Sequence, residues 1–114
     1  MGNEEHGVCP LFHHAIEVVG RRWSGAIIML LVQRGTSRFN ELLAGIPGIS
    51  DRLLSERLRE LESEDVVVRT VEPGPPVRVT YALSESGRAL EPAIVALASW
   101  AERWIAPERL KTSA

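Results

Sequence analysis

The sequence predicts one mainly α-helical domain that carries a small β-hairpin. Three observations support this fold class. Most segments place apolar side chains at helical spacing. The exception is a β-branched stretch interrupted by Pro73-Gly74-Pro75-Pro76, which is typical of two strands joined by a turn. A length of 114 residues and a hydrophobic content of 45% suit a single domain with an ordinary core.

Three helices are predicted in the first part of the chain. Residues 10–19 form the first, because proline is favoured in the first helical turn and a glycine ends the segment. Residues 23–32 are apolar nearly all round, which indicates a central buried helix that stops at Gly35. Ser37 is expected to cap a short third helix over residues 38–44.

A fourth helix follows the turn Gly45-Ile46-Pro47-Gly48 and is expected to be capped by Ser50. At 100° per residue its leucines share one face and its polar residues share the other. The apolar face contains Leu53, Leu54, Leu58 and Leu61, and the polar face contains Arg52, Ser55, Glu56 and Arg59. Arg57 lies near the leucines, so the sequence leaves open whether it turns outward or pairs with Glu60 or Glu62.

The C-terminal part predicts the hairpin and one long helix. Residues 66–71 and 77–83 alternate or are β-branched and flank the proline-rich turn. Ser84 is expected to cap a helix that runs to residue 106, and Pro92 is expected to kink or split this helix. A short helix, a turn, a capped helix with a polar outer face and a hairpin together predict a winged helix-turn-helix. In this layout the second helix enters the DNA major groove.

The predicted winged helix-turn-helix covers residues 1–114 as one domain with four segments. They are the N-terminal arm and first helix (1–20), the helix-turn-helix (21–64), the wing (65–83) and a C-terminal helix that serves dimerisation (84–106).

The charge distribution favours DNA binding although the net charge does not. Thirteen basic and 15 acidic residues give a formal net charge of −2, whereas a DNA-binding domain usually carries a basic footprint. Residues 21–59 nevertheless sum to +4, between residues 1–20 at −3 and residues 60–68 at −4. This basic segment is the predicted helix-turn-helix, and arginine matches phosphates and guanine edges. Solvated arginines that pair with neighbouring acids are the alternative.

The sequence gives little support to other functional classes. No glycine-rich phosphate loop or Ser-His-Asp arrangement is present, so neither enzymatic activity nor a cofactor is expected. Three potential metal ligands, Cys9, His13 and Glu17, fall on one helical face, and His6 and His14 lie near in sequence. No metal site is expected, because no second cysteine supports one. A single cysteine, and no apolar run of about 20 residues, indicate a cytoplasmic protein.

Short motifs at defined spacings cover residues 9–104. They are Cys9-Pro10, Trp23, R-F-N-E-L at 38–42, P-G-I-S at 47–50, L-R-E-L-E at 58–62, the segment 75–84, G-R-A-L at 87–90 and Trp100. Together they resemble the HxlR-type transcriptional regulators, a branch close to the MarR-like winged-helix repressors. The resemblance implies a cytoplasmic homodimer that binds a pseudo-palindromic operator in double-stranded DNA and represses transcription.

The resemblance and the predicted geometry together indicate which residues face DNA. Two recognition helices about 34 Å apart would enter successive major grooves. The residues of this helix expected to contact bases or phosphates are Ser50, Asp51, Arg52, Ser55, Glu56 and Arg59. Arg38, assisted by free amides at the start of the third helix, is expected to contact phosphate, and Arg78 on the wing is expected to contact phosphate or the minor groove.

The resemblance also implies that the N- and C-terminal helices build the dimer. Apolar residues in excess of what a small core needs support this expectation. They are Leu11, Phe12, Ile16, Trp100, Trp104 and Ile105. The alternative is that the two tryptophans pack inside the monomer.

Cys9 occupies the position at which some regulators of this family sense oxidants or electrophiles. The positive end of a helix favours the reactive thiolate form of a cysteine. The alternative role is that of a small apolar residue at the dimer interface. A regulator that responds to a metal or small ligand, and a winged helix that contacts only proteins, also remain open.

Three positions depart from the family pattern. Asp65 stands where a glycine usually ends the recognition helix in a left-handed turn, a conformation that Asp adopts less readily than glycine. Thr80 replaces an acidic residue and Val68 replaces a polar one, so the contacts of the wing are expected to differ.

Overall fold

The computed structural model describes residues 7–112, which form helices around one small sheet. The elements are α1 (Pro10–Gly20), α2 (Ser24–Arg34), β1 (Ser37–Arg38), α3 (Phe39–Gly45), α4 (Asp51–Ser63), β2 (Val67–Glu72), β3 (Arg78–Leu83), α5 (Glu85–Ala89), α6 (Glu91–Trp104) and a 3₁₀ turn (Pro107–Thr112). The predicted mainly helical fold class with a small hairpin is confirmed. None of the helices in the described part is long and apolar enough to cross a membrane.

The sheet has three antiparallel strands in the order β1-β3-β2. The hairpin pairs Val67 with Leu83 and Glu72 with Arg78. On the other side of β3, Ser37 of β1 lies opposite Tyr81. The sequence predicted two strands, because the two residues of β1 are too few to show any alternation.

The core lies between α2, α4 and one face of the sheet. Its buried side chains include Ile27, Ile28 and Leu31 of α2, Leu42 of α3, Leu54, Leu58 and Leu61 of α4, Val67 and Leu83 of the sheet, and Ile94 of α6. Leu53, also expected on the apolar face of α4, is half-buried. The predictions of a buried central helix and of a leucine face on α4 are therefore confirmed.

The expected cap at Ser37 is wrong. Pairing with β3 draws Ser37 into β1, where it is buried and its hydroxyl donates to the Gly35 carbonyl at 3.0 Å. The helix begins one residue later than predicted, with Arg38 at the N-cap. The Arg38 amide donates to the Glu41 carboxylate at 2.7 Å, so an acid three residues into the helix takes the place of a capping hydroxyl.

Two residues other than glycine adopt positive φ at helix ends. Trp23 has φ 78° and precedes α2, which therefore starts at Ser24 rather than at the tryptophan. Asp65 has φ 62° just after α4, as expected for the position where the family usually has glycine. Asp tolerates this conformation better than most side chains because its short polar group bonds locally.

The C-terminal helix is split rather than continuous. Ser84 caps as expected, since its hydroxyl accepts a hydrogen bond from the Gly87 amide at 3.0 Å, but the helix that it caps has only five residues. Pro92 lies in the first turn of α6, where it needs no hydrogen-bond partner. The break at Leu90 confirms the expected effect of Pro92 and corrects the single helix over residues 84–106.

Gly87→Ala is expected to destabilise the protein by about 1–3 kcal/mol or more. A Cβ at this buried position would overlap the Val66 carbonyl oxygen and lie 3.1 Å from the Leu83 side chain. Gly20→Ala is the matched control, because its nearest new contact would be ordinary, at 3.8 Å from Ile16. Urea denaturation compares the two variants, and equal free energies of unfolding would contradict the prediction.

Candidate nucleic-acid interface

The turn before α4 and its cap aim this helix outward. Gly48 adopts φ 92° in the turn, and Ile46 and Ile49 on either side of it are buried and anchor it. Ser50 accepts a hydrogen bond from the Leu53 amide at 3.1 Å, which confirms its predicted cap. Since the leucines face the core, the opposite face of α4 is presented to solvent.

Most of the predicted DNA-facing residues of α4 lie on this outer face. Ser50, Asp51, Arg52 and Arg59 are exposed, and Ser55 and Glu56 are half-buried. The Arg52 side chain is 88% exposed, and its Nε donates to the Glu56 carboxylate at 3.1 Å. Exposed pairs of this spacing contribute only about 0.3–0.5 kcal/mol. Arg52 is thus held along the helix by a weak contact that a stronger acceptor replaces easily.

Arg57 does not belong to the outer face. Its side chain is 11% exposed. Its Nε donates to the Arg22 carbonyl at 2.9 Å and its Nη1 contacts the Glu60 carboxylate at 3.4 Å. Of the two orientations that the sequence left open, the structure has the inward one, in which Arg57 ties α4 to the junction between α1 and α2.

Arg78 lies on the wing, as predicted, and Arg38 lies in β1 at the N-cap of α3. Arg38 is opposite Thr80 in the pairing of β1 with β3, and Arg78 is opposite Glu72 where β3 leaves the hairpin turn. Both side chains are exposed. The expectation of free amides around Arg38 is wrong for its own N–H, which the Glu41 carboxylate already accepts.

Sequence reasoning missed Arg69 of β2. Arg69 lies opposite Tyr81, and the two line a groove of about 410 Å³ together with Ser55, Arg59 and Glu62 of α4. Strand alternation was the available signal. It places Arg69 on the same face as the buried Val67, toward α4 rather than away from it.

The expected dimer residues form an uncovered apolar surface on α1 and α6. No residue of α1 is buried, and Leu11 is 82% exposed. Trp100 and Trp104 are 54% and 60% exposed, so the alternative that they pack inside the monomer is wrong. Phe12 and Ile16 are exposed as well, whereas Ile105, at the end of α6, is half-buried.

His14 connects α1 to the C-terminal end of α4. Its Nε2 lies 3.0 Å from a carboxylate oxygen of Glu64. This hydrogen bond and the attraction of the Glu64 charge raise the pKa of His14 above its usual 6.5, with a smaller contribution from Glu17. Protonation of His14 therefore strengthens the contact between the apolar N-terminal helix and the helix-turn-helix.

His14→Gln is expected to remove a pH-dependent part of the stability. Because the folded-state pKa is raised, the stabilisation by protonated His14 is fully present below pH 6.5 and is lost as the pH rises through the raised value. The thermal midpoints of the wild type and the variant should differ most at the acid end and converge above neutrality. A gap that stays constant over this range would show that the charge of His14 has no role.

Cys9 lies at the N-cap of α1 and is a free, half-buried cysteine. Its carbonyl accepts the His13 amide at 3.0 Å, and its side chain forms no capping hydrogen bond. His13 turns to Glu17 at 3.7 Å. Within residues 7–112 no three His, Cys, Asp or Glu side chains approach closely enough to hold a metal ion. His6, named with these residues above, lies outside the described part.

Comparison with known proteins finds transcriptional regulators of similar sequence and structure. The HTH-type transcriptional regulators YvaP and YodB of Bacillus subtilis are 44% and 41% identical, over 90% and 94% of this chain and 94% and 92% of their own lengths. The solved structure of diamide-treated YodB superposes with a TM-score of 0.74 at 41% identity, over 90% of this chain and all of that one. The redox regulator HypR in its oxidised form superposes with a TM-score of 0.77 at 37% identity, over 83% of this chain and 96% of that one.

The model of the HxlR-like helix-turn-helix family matches residues 18–109, from the end of α1 to the 3₁₀ turn. This match includes α4, the wing and α6, and the named relatives are transcriptional regulators of the helix-turn-helix type. The chain therefore belongs to the HxlR-like helix-turn-helix family of DNA-binding transcriptional regulators.

Proposed function

We propose that this regulator is a homodimeric repressor that binds a pseudo-palindromic operator through α4 and the wing. The exposed polar face of α4 carries the proposal. The leucines on its other face fix the rotation of the helix, and the cap at Ser50 fixes its start. A helix that is oriented in this way beside a hairpin has the form with which winged helices read the major groove.

The exposed arginines are assigned to two kinds of DNA contact, with bases and with phosphates. Arg52 has the exposure and the forked donors to contact a guanine edge, where a bidentate pair contributes about 1–3 kcal/mol of discrimination. Glu56, which holds Arg52 at 3.1 Å in the free protein, keeps the guanidinium extended along the helix. Arg38, Arg59 and Arg78 are exposed and suit phosphates.

Dimerisation through α1 and α6 supplies the second recognition helix. A two-fold axis relates identical surfaces, and the apolar side chains of these two helices are uncovered in the single chain. Two recognition helices about 34 Å apart then contact successive major grooves on one side of the duplex.

Salt titration of DNA binding tests this proposal. The purified dimer is footprinted on the region upstream of its own gene, and its affinity for the protected site is measured against salt. Three phosphate-binding arginines in each protomer predict a slope of log K against log salt of about −5, and any further phosphate contact makes the slope steeper. Absence of binding at low salt would overturn the proposal and favour a winged helix that contacts only proteins.

We further propose that oxidation or alkylation of Cys9 releases the operator. Cys9 lies at the N-cap of α1, and residues 10–17 of this helix are exposed in the single chain, so this half of α1 is available to a partner chain. A modified thiol at this end therefore changes how α1 packs against the partner. The similarity to YodB, solved after diamide treatment, and to HypR, a redox regulator, supports this reading.

Diamide treatment tests the role of Cys9. Diamide takes two electrons and two protons from two thiols, which join as a disulfide. Since the chain has one cysteine, the second thiol comes from the other protomer or from a small thiol. Diamide should release wild-type protein from the operator, while Cys9→Ser should stay bound. Release of both proteins to the same extent would exclude Cys9 as the sensor.

A further inference from the structure

A polar groove lies between α4 and β2. Ser55, Arg59 and Glu62 line it from α4, and Arg69 and Tyr81 line it from the sheet. Its volume is about 410 Å³, and it opens to solvent beside the polar face of α4. The groove adjoins the core through Tyr81, whose side chain is buried. It is nevertheless polar, because Arg59 and Arg69 are exposed.

The two arginines of the groove are not neutralised. Neither Arg59 nor Arg69 forms an ion pair with any of the described residues, in contrast to Arg57, which contacts Glu60 at 3.4 Å. Glu62 is the one acid that lines the groove, so the lining carries a formal charge of +1. Two arginines on facing elements, with a serine and a tyrosine in the same lining, suit an anion with several acceptor oxygens.

We infer that Arg59 and Arg69 hold a backbone phosphate of the operator strand that passes between the recognition helix and the wing. The inference rests on the proposed function. When a recognition helix lies in the major groove and the wing reaches the neighbouring backbone or minor groove, one DNA strand must cross the space between them. In this protein the groove is that space. Arg59 contacts the phosphate from the recognition helix, and Arg69 contacts it from the wing.

Neutralising Arg69 gives the direct test. Loss of one phosphate contact per protomer changes the slope of log K against log salt by about 0.9, or about 1.8 for the dimer. At 0.1 M salt this corresponds to an affinity about sixtyfold lower for Arg69→Gln. The loss should be equal on operator and on unrelated DNA, because a phosphate carries no sequence information. Arg69→Lys keeps the charge and should keep the slope.

Glu62 provides a control of opposite sign. If a phosphate enters the groove, Glu62→Gln removes a repulsion and should tighten binding. Arg88→Gln, on α5, makes the same charge change as Arg69→Gln outside α4 and the wing, and should leave the slope unchanged.

Inorganic phosphate at millimolar concentration shows whether the groove binds a phosphate of DNA or a free phosphate ion. Protection of the wild type against thermal unfolding that Arg69→Gln lacks, together with an unchanged DNA slope, would assign the groove to a free anion and overturn the inference.

The remaining outcomes separate this inference from the proposed function. Wild-type binding with a steep salt slope, together with an unaltered slope for Arg69→Gln, would overturn the phosphate contact and leave the operator-binding proposal standing. Absence of DNA binding by the wild type would overturn both.

Discussion

The double variant Arg52→Ala with Arg78→Ala is expected to lose operator binding while its thermal midpoint stays that of the wild type. Arg52 is the most exposed of the ion-paired side chains on α4, and a base contact of about 1–3 kcal/mol is lost in each half-site. Two half-sites then cost about 2–6 kcal/mol, which is about 30-fold to 10⁴-fold in affinity. The loss of Arg78 removes a further contact to the backbone.

Folding should not depend on either side chain. Arg52 contributes one exposed pair with Glu56, and Arg78 is exposed beside the hairpin turn. The matched control for the charge is Arg88→Ala with Arg109→Ala, at positions outside α4 and the wing. It serves the affinity measurement, because the Arg88 side chain donates to the Leu83 carbonyl at 3.1 Å and contributes to folding. Gel-shift affinity is measured on both double variants, and the thermal midpoint of Arg52→Ala with Arg78→Ala is compared with that of the wild type. Normal binding by Arg52→Ala with Arg78→Ala would show that α4 and the wing do not read the operator.

The outer face of α4 was predictable because two local rules agree there. The spacing of Leu54, Leu58 and Leu61 fixes the rotation of the helix, and the hydroxyl of Ser50 fixes its start. Both rules depend on residues within one helical turn of each other. In the folded protein the leucines pack against the core without changing the start or the rotation of α4. The exposed positions of the helix therefore follow from the sequence.

Distant partners explain both the wrong cap at Ser37 and the orientation of Arg57, which the sequence left open. Ser37 is a good capping residue by type, yet pairing with Tyr81, far along the chain, makes it part of a sheet. Arg57 lies between the two faces of α4, and its inward orientation is decided by the Arg22 carbonyl. The sequence does not show which distant group will contact Ser37 or Arg57, and only the folded structure does.

Arg69 shows a different limit of sequence reasoning. Its place on the inner face of β2 follows from alternation with Val67, but alternation alone suggests a charged residue in a core. The structure resolves the conflict because Arg69 is exposed on the edge strand β2, beside the buried Tyr81. The space that it encloses with Arg59 is an open polar groove.

Trp100→Glu combined with Trp104→Glu is expected to convert the dimer into a folded monomer. In the single chain both rings are more than half exposed, and exposed Leu97 lies one turn before Trp100 on the same face of α6. Carboxylates placed there would be buried without partners in the dimer, a cost that the separate chains avoid. Sedimentation should show the mass falling to that of one chain, 12.6 kDa.

Loss of the dimer should also weaken operator binding far more than any single contact does. Linking two half-site contacts raises affinity by about 10²–10⁴ over one alone, so the monomer should lose a factor of this size. Val95→Glu is the control, because Val95 is 43% exposed on α6 but points to the side opposite the tryptophans at 100° per residue. It should remain dimeric and bind normally. A double tryptophan variant that stays dimeric would place the interface elsewhere, whereas one that becomes monomeric yet keeps full affinity would show that the two half-sites are read independently.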